Sequence, residues 1–158
     1  MSDHDPGDPR YSRRSPCAKC PFSRSCTPGA LGGSTPGVYI GQAEGPFLLT
    51  CHMSEGYDQS VGPQPELPQC AGAAIYRANL GVAGKMPDFL LSLPADENLV
   101  FASHAEFMAH HMQRSCEFAR MFLRDVVTPE AFLRIELDRA GVRVVTAPSS
   151  TRKEADHE

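Results

Sequence analysis

The spacing of the cysteines constrains this chain more than any other feature. Five of them fall in the first seventy positions: Cys17-Ala18-Lys19-Cys20-Pro21, then Cys26, Cys51 and Cys70, with Cys116 standing apart. Two thiolates separated by two residues can turn toward one ion or cluster, because the intervening backbone makes a tight turn whose N–H groups face the sulfurs. Most of the 13 glycines and 14 prolines lie in the same half, so that half cannot be built mainly from regular helices and needs another tie. A metal centre provides one.

The chain has 158 residues and a formal net charge of −4, enough for one domain with a modest core and without the overall basic field of a non-specific nucleic-acid binder. No run of eighteen apolar residues occurs, and Met1 to Ser15 lacks the apolar stretch of a signal peptide. A cytoplasmic protein with no membrane partner is expected. In that reducing compartment, clustered cysteines read as ligands or redox groups rather than disulfides.

Along the chain, residues 1–15 read as a disordered arm, 16–145 as a single metal-binding domain and 146–158 as a disordered tail. Phe47-Leu48-Leu49-Thr50-Cys51 looks like a short strand that delivers Cys51 and His52, followed by a polar loop returning to Cys70. From Cys70 the run CAGAAIYRANLG suits a helix ending at Gly81, with Cys70 in its first turn. Ser103-His104-Ala105-Glu106 is a capping-box pattern that predicts a long helix to about Val126. Thr128-Pro129-Glu130 opens another, and Val142 to Val145 reads as a strand. The expected fold is therefore α+β and α-rich, an irregular metal-stapled N-terminal half packed on two or three C-terminal helices.

The elements C-x2-C-P-F, F-L-L-T-C-H and C-A-G-A-A, spread over residues 17–75, resemble a family of small bacterial and phage proteins that share C-x2-C-P, a later Cys-His and a final C-A-G or C-G. Carried over position by position, the resemblance implies that Cys17, Cys20, Cys51 and Cys70 are four metal ligands. More locally, CAKCPFSRSC at residues 17–26 is similar to the C-x2-C-x5-C segment of the WhiB-like regulators, which hold a [4Fe–4S] cluster and control transcription in response to redox state. No cysteine precedes Cys17 and the chain has no tryptophan, so Cys51 or Cys70 would have to complete a WhiB-like ligand set.

Structural zinc sites are usually made from two close pairs, whereas eighteen residues separate Cys51 from Cys70. Single ligands scattered around one C-x2-C, with proline directly after a cysteine, fit an iron–sulfur cluster better, zinc being the alternative. Cys26 is a further candidate as an exchangeable ligand. His52 is another, expected to donate a hydrogen bond to the ligands because side chains of successive residues in an extended segment point opposite ways. Lys19 and Arg24 are expected to lower the thiol pKa values, and Cys116 to act as a small buried hydrophobe.

Beyond the cysteines, chemistry is sparse. His104, His110 and His111 lack an H-E-x-x-H spacing and read as a solvated helix face; Gly32-Gly33-Ser34 lacks the lysine of a phosphate-binding loop. Arg10, Arg13, Arg14, Lys19 and Arg24 form a basic cluster that could meet nucleic acid, although a solvated arm is the commoner meaning. The functional expectation is a cysteine-ligated iron–sulfur protein in redox sensing, electron transfer or regulation, working on a protein partner. The alternatives are a zinc-stapled protein- or nucleic-acid-interaction module and a small metalloenzyme. With no catalytic residue in view, a non-enzymatic role is favoured.

Overall fold

The computed structural model describes Asp5 and residues 7–122. The second helix expected from Thr128, the strand at Val142 and the tail lie outside the described residues. Within them the fold is α-rich: α1 (Pro36–Glu44), α2 (Ala71–Asn79), α3 (His104–Met112) and α4 (Cys116–Phe122), with short 3-10 turns at Pro9–Tyr11 and Ala83–Lys85. The expected strands are reduced, among the described residues, to two isolated antiparallel bridges, Ser23 with Val100 and Thr50 with Gln69. Proline-broken segments leave too few consecutive N–H donors there for a longer ladder.

Each helix starts where its sequence supplies a cap. Thr35 accepts a hydrogen bond from the Val38 N–H, and Pro36 fills the first position, where no N–H is needed. Cys70 caps α2 through its own sulfur, which accepts from the Ala73 N–H at 3.5 Å. Ser103 accepts from Glu106 N–H at 3.2 Å, and the Glu106 carboxylate turns back to the Ala102 N–H at 2.8 Å. The long helix expected from Ser103 is interrupted. Gln113 adopts a left-handed φ of 53°, the Arg114 N–H returns to the Ala109 carbonyl, and Ser115 recaps the chain by accepting from Phe118 N–H at 3.1 Å.

Helix α2 is the central element. Its small residues Ala71, Gly72, Ala73 and Ala74 are buried together with Ile75, Tyr76 and Arg77, so neighbouring segments can approach its backbone closely. The core is aromatic: Phe22 lies 5.1 Å from Tyr76 and 5.5 Å from Phe107 between ring centroids, and Phe101 meets Phe107 edge-on at 5.7 Å. Since Phe22 follows Cys20-Pro21, this packing seats the cysteine turn against the helices. Tyr11, in the stretch expected to be a disordered arm, is buried, and its hydroxyl donates to the Phe89 carbonyl at 3.1 Å.

Arg77 joins α2 to the end of α1. Its buried guanidinium donates to the carbonyls of Ala43 (2.7 Å), Phe47 (2.8 Å), Gln42 and Gly45 (both 3.3 Å). These include carbonyls left unpaired where α1 stops, so the side chain caps that helix from outside.

Candidate metal centre

The four cysteines reach one place along two routes. Cys17 and Cys20 sit on a tight turn closed by the Cys20 N–H donating to the Cys17 carbonyl at 3.0 Å. The bridge between Thr50 and Gln69 brings the segments of Cys51 and Cys70 together, the two cysteines diagonal across it: the Cys70 N–H donates to Leu49 at 2.7 Å and the Cys51 N–H to Pro68 at 2.8 Å. Gln69 anchors this pair. Its N–H donates to the Arg10 carbonyl at 2.8 Å, while its side-chain amide donates to Phe89 and accepts from the Leu91 N–H.

Cys20 is the hub. Its sulfur lies 3.9 Å from that of Cys70, and Cys20 first, then Cys51 less strongly, lower the Cys17 thiol. Cys20 is the largest cause that lowers the Cys17 thiol, to about 5, and likewise the largest that lowers Cys70; its single S–H serves one of these two neighbours at a time. Cys20 keeps its proton, raised by those same two neighbours and by burial. Cys51 is raised by burial. Cys17 is half-buried and the other three are buried. The Lys19 contribution comes through its backbone N–H, and His52 adds a favourable charge at Cys17. Arg24, expected beside the thiols, instead pairs with Glu106 at 2.7 Å and lies over the Phe101 ring.

The surroundings suit a bound group. An ideal Cβ on Gly72 would stand 2.1 Å from the Cys20 sulfur, so only glycine at that position leaves room for the thiol. Arg13 supplies a positive charge that partly offsets the rise that burial causes at Cys51, and its Nε and the Ser54 hydroxyl are buried polar atoms without a hydrogen-bond partner among the described residues. Ser54 lies one turn beyond Cys51, its N–H donating to the Cys51 carbonyl at 3.0 Å. Buried donors beside thiolates are what metal-bound sulfur engages. The thiols form a chain of neighbours rather than a finished cage: among the described residues no group of three or more His, Cys, Asp or Glu side chains is placed to hold a single metal ion as it stands. Closing the four thiols around one centre would require their side chains to move from these positions.

Cys26 belongs to a different junction. Its sulfur lies 3.5 Å from His110 Nε2 and 3.8 Å from His111 Nε2 on α3, and burial pushes its pKa up to about 11. His111 Nδ1 accepts from the Gly29 N–H, so Nε2 carries the proton and donates to the Pro21 carbonyl at 2.8 Å; burial favours this neutral form. His110 Nε2 donates to the Cys26 carbonyl at 2.8 Å. These histidines, read from sequence as a solvated face, clamp the cysteine loop onto α3. His52 stays beside the thiols, its ring edge-on to Tyr57, and Cys116 is partly buried against the core. Sequence spacing could not reveal the Cys26 partners, which are more than eighty positions away.

Among the described residues no helix is long and apolar enough to cross a membrane. No protein-family model matches the chain, and no curated protein or solved structure does so either.

Proposed function

We propose that Cys17, Cys20, Cys51 and Cys70 together bind a metal centre, and that the centre is an iron–sulfur cluster serving redox sensing or electron transfer to a protein partner. The observation that carries this reading is the gathering of four thiols from three separate segments beside Cys20 and the bare face of Gly72. Thiols in a reducing compartment gain little from such clustering unless a metal is held. Arg13 and Ser54 would donate to ligand sulfur, which stabilises the more negative state and raises a cluster's potential. The half-buried Cys17 offers the edge nearest to a partner.

A mononuclear zinc staple is the second reading, favoured by one distance. Zinc–sulfur bonds of about 2.3 Å in a tetrahedron put ligand sulfurs about 3.8 Å apart, and Cys20 and Cys70 are separated by 3.9 Å. Such a zinc would contribute folding free energy and no chemistry. The two readings part on reduction: protein purified without oxygen and titrated with dithionite should show visible absorption that bleaches if a cluster is present. A colourless protein unaffected by dithionite and carrying zinc would remove the redox role.

A further inference from the structure

Bordered by Pro21, His52 and Cys70, a cavity of about 610 Å³ opens between the Leu31–Ser34 turn, α1 and the segment from Phe47 to Pro63. This size lies within the range of small-molecule sites. Aromatic rings of Phe22, Tyr39 and Tyr57 contribute to its walls, and no Asp, Glu, Lys or Arg side chain lines it. The titratable side chains on its walls are His52, Cys70, Tyr39 and Tyr57, none of them a permanently charged group, so a charged ligand would leave water there with no fixed counter-charge, a costly transfer.

Part of the wall is fixed and part is available. The Tyr39 hydroxyl donates to the Leu31 carbonyl at 3.3 Å and the Gln59 amide to the Gly32 carbonyl at 3.2 Å, holding the rim in shape. Gly33 and Gly62, with φ of +84° and +86°, keep that rim low, and nothing lies within 4 Å of where a Cβ would be. Ser34, Gln42 and Tyr57 also line the space, and no side-chain hydrogen bond joins them to another described residue.

We infer that this cavity binds a neutral, ring-bearing small molecule, stacked against Tyr39 and Tyr57 and hydrogen-bonded by Ser34 and Gln42. Flat aromatic walls favour a planar ring, and a few unpaired polar groups set its orientation. Cys70 is shared between this wall and the cysteine centre, whereas Ser34, Tyr39, Gln42 and Tyr57, which would contact the ligand, are not.

The test is a 1H–15N NMR titration of the full chain with two pairs of probes, indole against indole-3-acetate and nicotinamide against nicotinate, read at the amides of Gly32, Gly33 and Gly62. Saturable shifts are expected with a neutral member of a pair, at an affinity of about 1 mM or tighter, and weaker binding with its anion. Ser34→Trp, a bulky side chain on an exposed rim position, should weaken binding at least about tenfold. Gln42→Ala removes a polar contact without filling the space and should weaken it severalfold; it decides the matter if the tryptophan variant does not fold. Absence of saturable shifts with either neutral probe, equal binding of the anions, or undiminished binding by the folded variants would overturn the inference. Metal content measured on the same samples reports on the cysteine centre separately: a metal-free chain that binds indole upholds the cavity and not the centre, and a metal-loaded chain that binds neither neutral probe does the reverse.

Discussion

Gly72 on α2 faces Cys20 so closely that a methyl group on its Cα would stand 2.1 Å from the cysteine sulfur. The glycine after Cys70-Ala71 thus has a steric role: it lets the Cys17–Cys20 turn settle onto the first turn of the helix that Cys70 caps. Gly72→Ala should displace Cys20, cost about 1–3 kcal/mol through overpacking, and lower both bound metal and melting temperature. A variant with full metal content and unchanged melting would show that the two segments are less tightly seated than the structure has them.

The four thiols and the two remaining cysteines should separate cleanly in a serine series. Replacing Cys17, Cys20, Cys51 or Cys70 removes a ligand, and bound metal should fall well below one centre per chain in each case. Cys26→Ser and Cys116→Ser should retain it, because Cys26 is engaged with His110 and His111 and Cys116 packs at the core's edge. Metal loss in Cys26→Ser with retention in one of the four would redraw the ligand set.

In the metal-free chain the cysteines should differ sharply in reactivity. The Cys17 thiol, lowered to about 5 chiefly by Cys20, is ionised at pH 6.5 and half-buried, whereas the buried Cys26 thiol at about 11 remains protonated. Brief iodoacetamide treatment at pH 6.5 followed by mass spectrometry should find the label on Cys17 first, with the buried, protonated Cys20 and Cys26 among the last. The Cys17 advantage should shrink as pH falls through 5 and the thiolate takes up a proton. Equal labelling would contradict the hydrogen-bonded arrangement around Cys20.

Arg77 gives a prediction about stability alone. Arg77→Met keeps much of the apolar stem but leaves the carbonyls of Ala43, Gln42, Gly45 and Phe47 without their donor. A loss of about 3 kcal/mol is expected, since several charge-assisted hydrogen bonds disappear at once. Denaturant unfolding measures it, and metal stoichiometry in the folded variant should be unchanged.

Features governed by local chemistry were readable in the sequence. The Ser103 cap, the helix after Cys70 and the tight turn between Cys17 and Cys20 all follow from residues a few positions apart. Helix α1 was not anticipated because Gly37 and Gly41 weaken its propensity, although Thr35-Pro36 was a usable start signal. The stop at Gln113 carries no glycine or proline to announce it. The structure lies furthest from sequence reading at contacts between distant segments: the Cys26 junction with α3, the burial of Tyr11, and Arg24 pairing with Glu106 rather than the thiols. Chain spacing holds no record of such partners, which depend on how the aromatic core turns one segment toward another.

The most direct test of the central claim is the amount of iron, acid-labile sulfide and zinc per chain in protein purified without oxygen, compared with the Cys70→Ser variant. About one four-thiolate centre per wild-type chain is expected, iron with matching sulfide for a cluster and a single zinc for the staple, and its loss in the variant. A wild-type chain that folds with no metal, or a Cys70→Ser variant that holds as much as wild type, would contradict it.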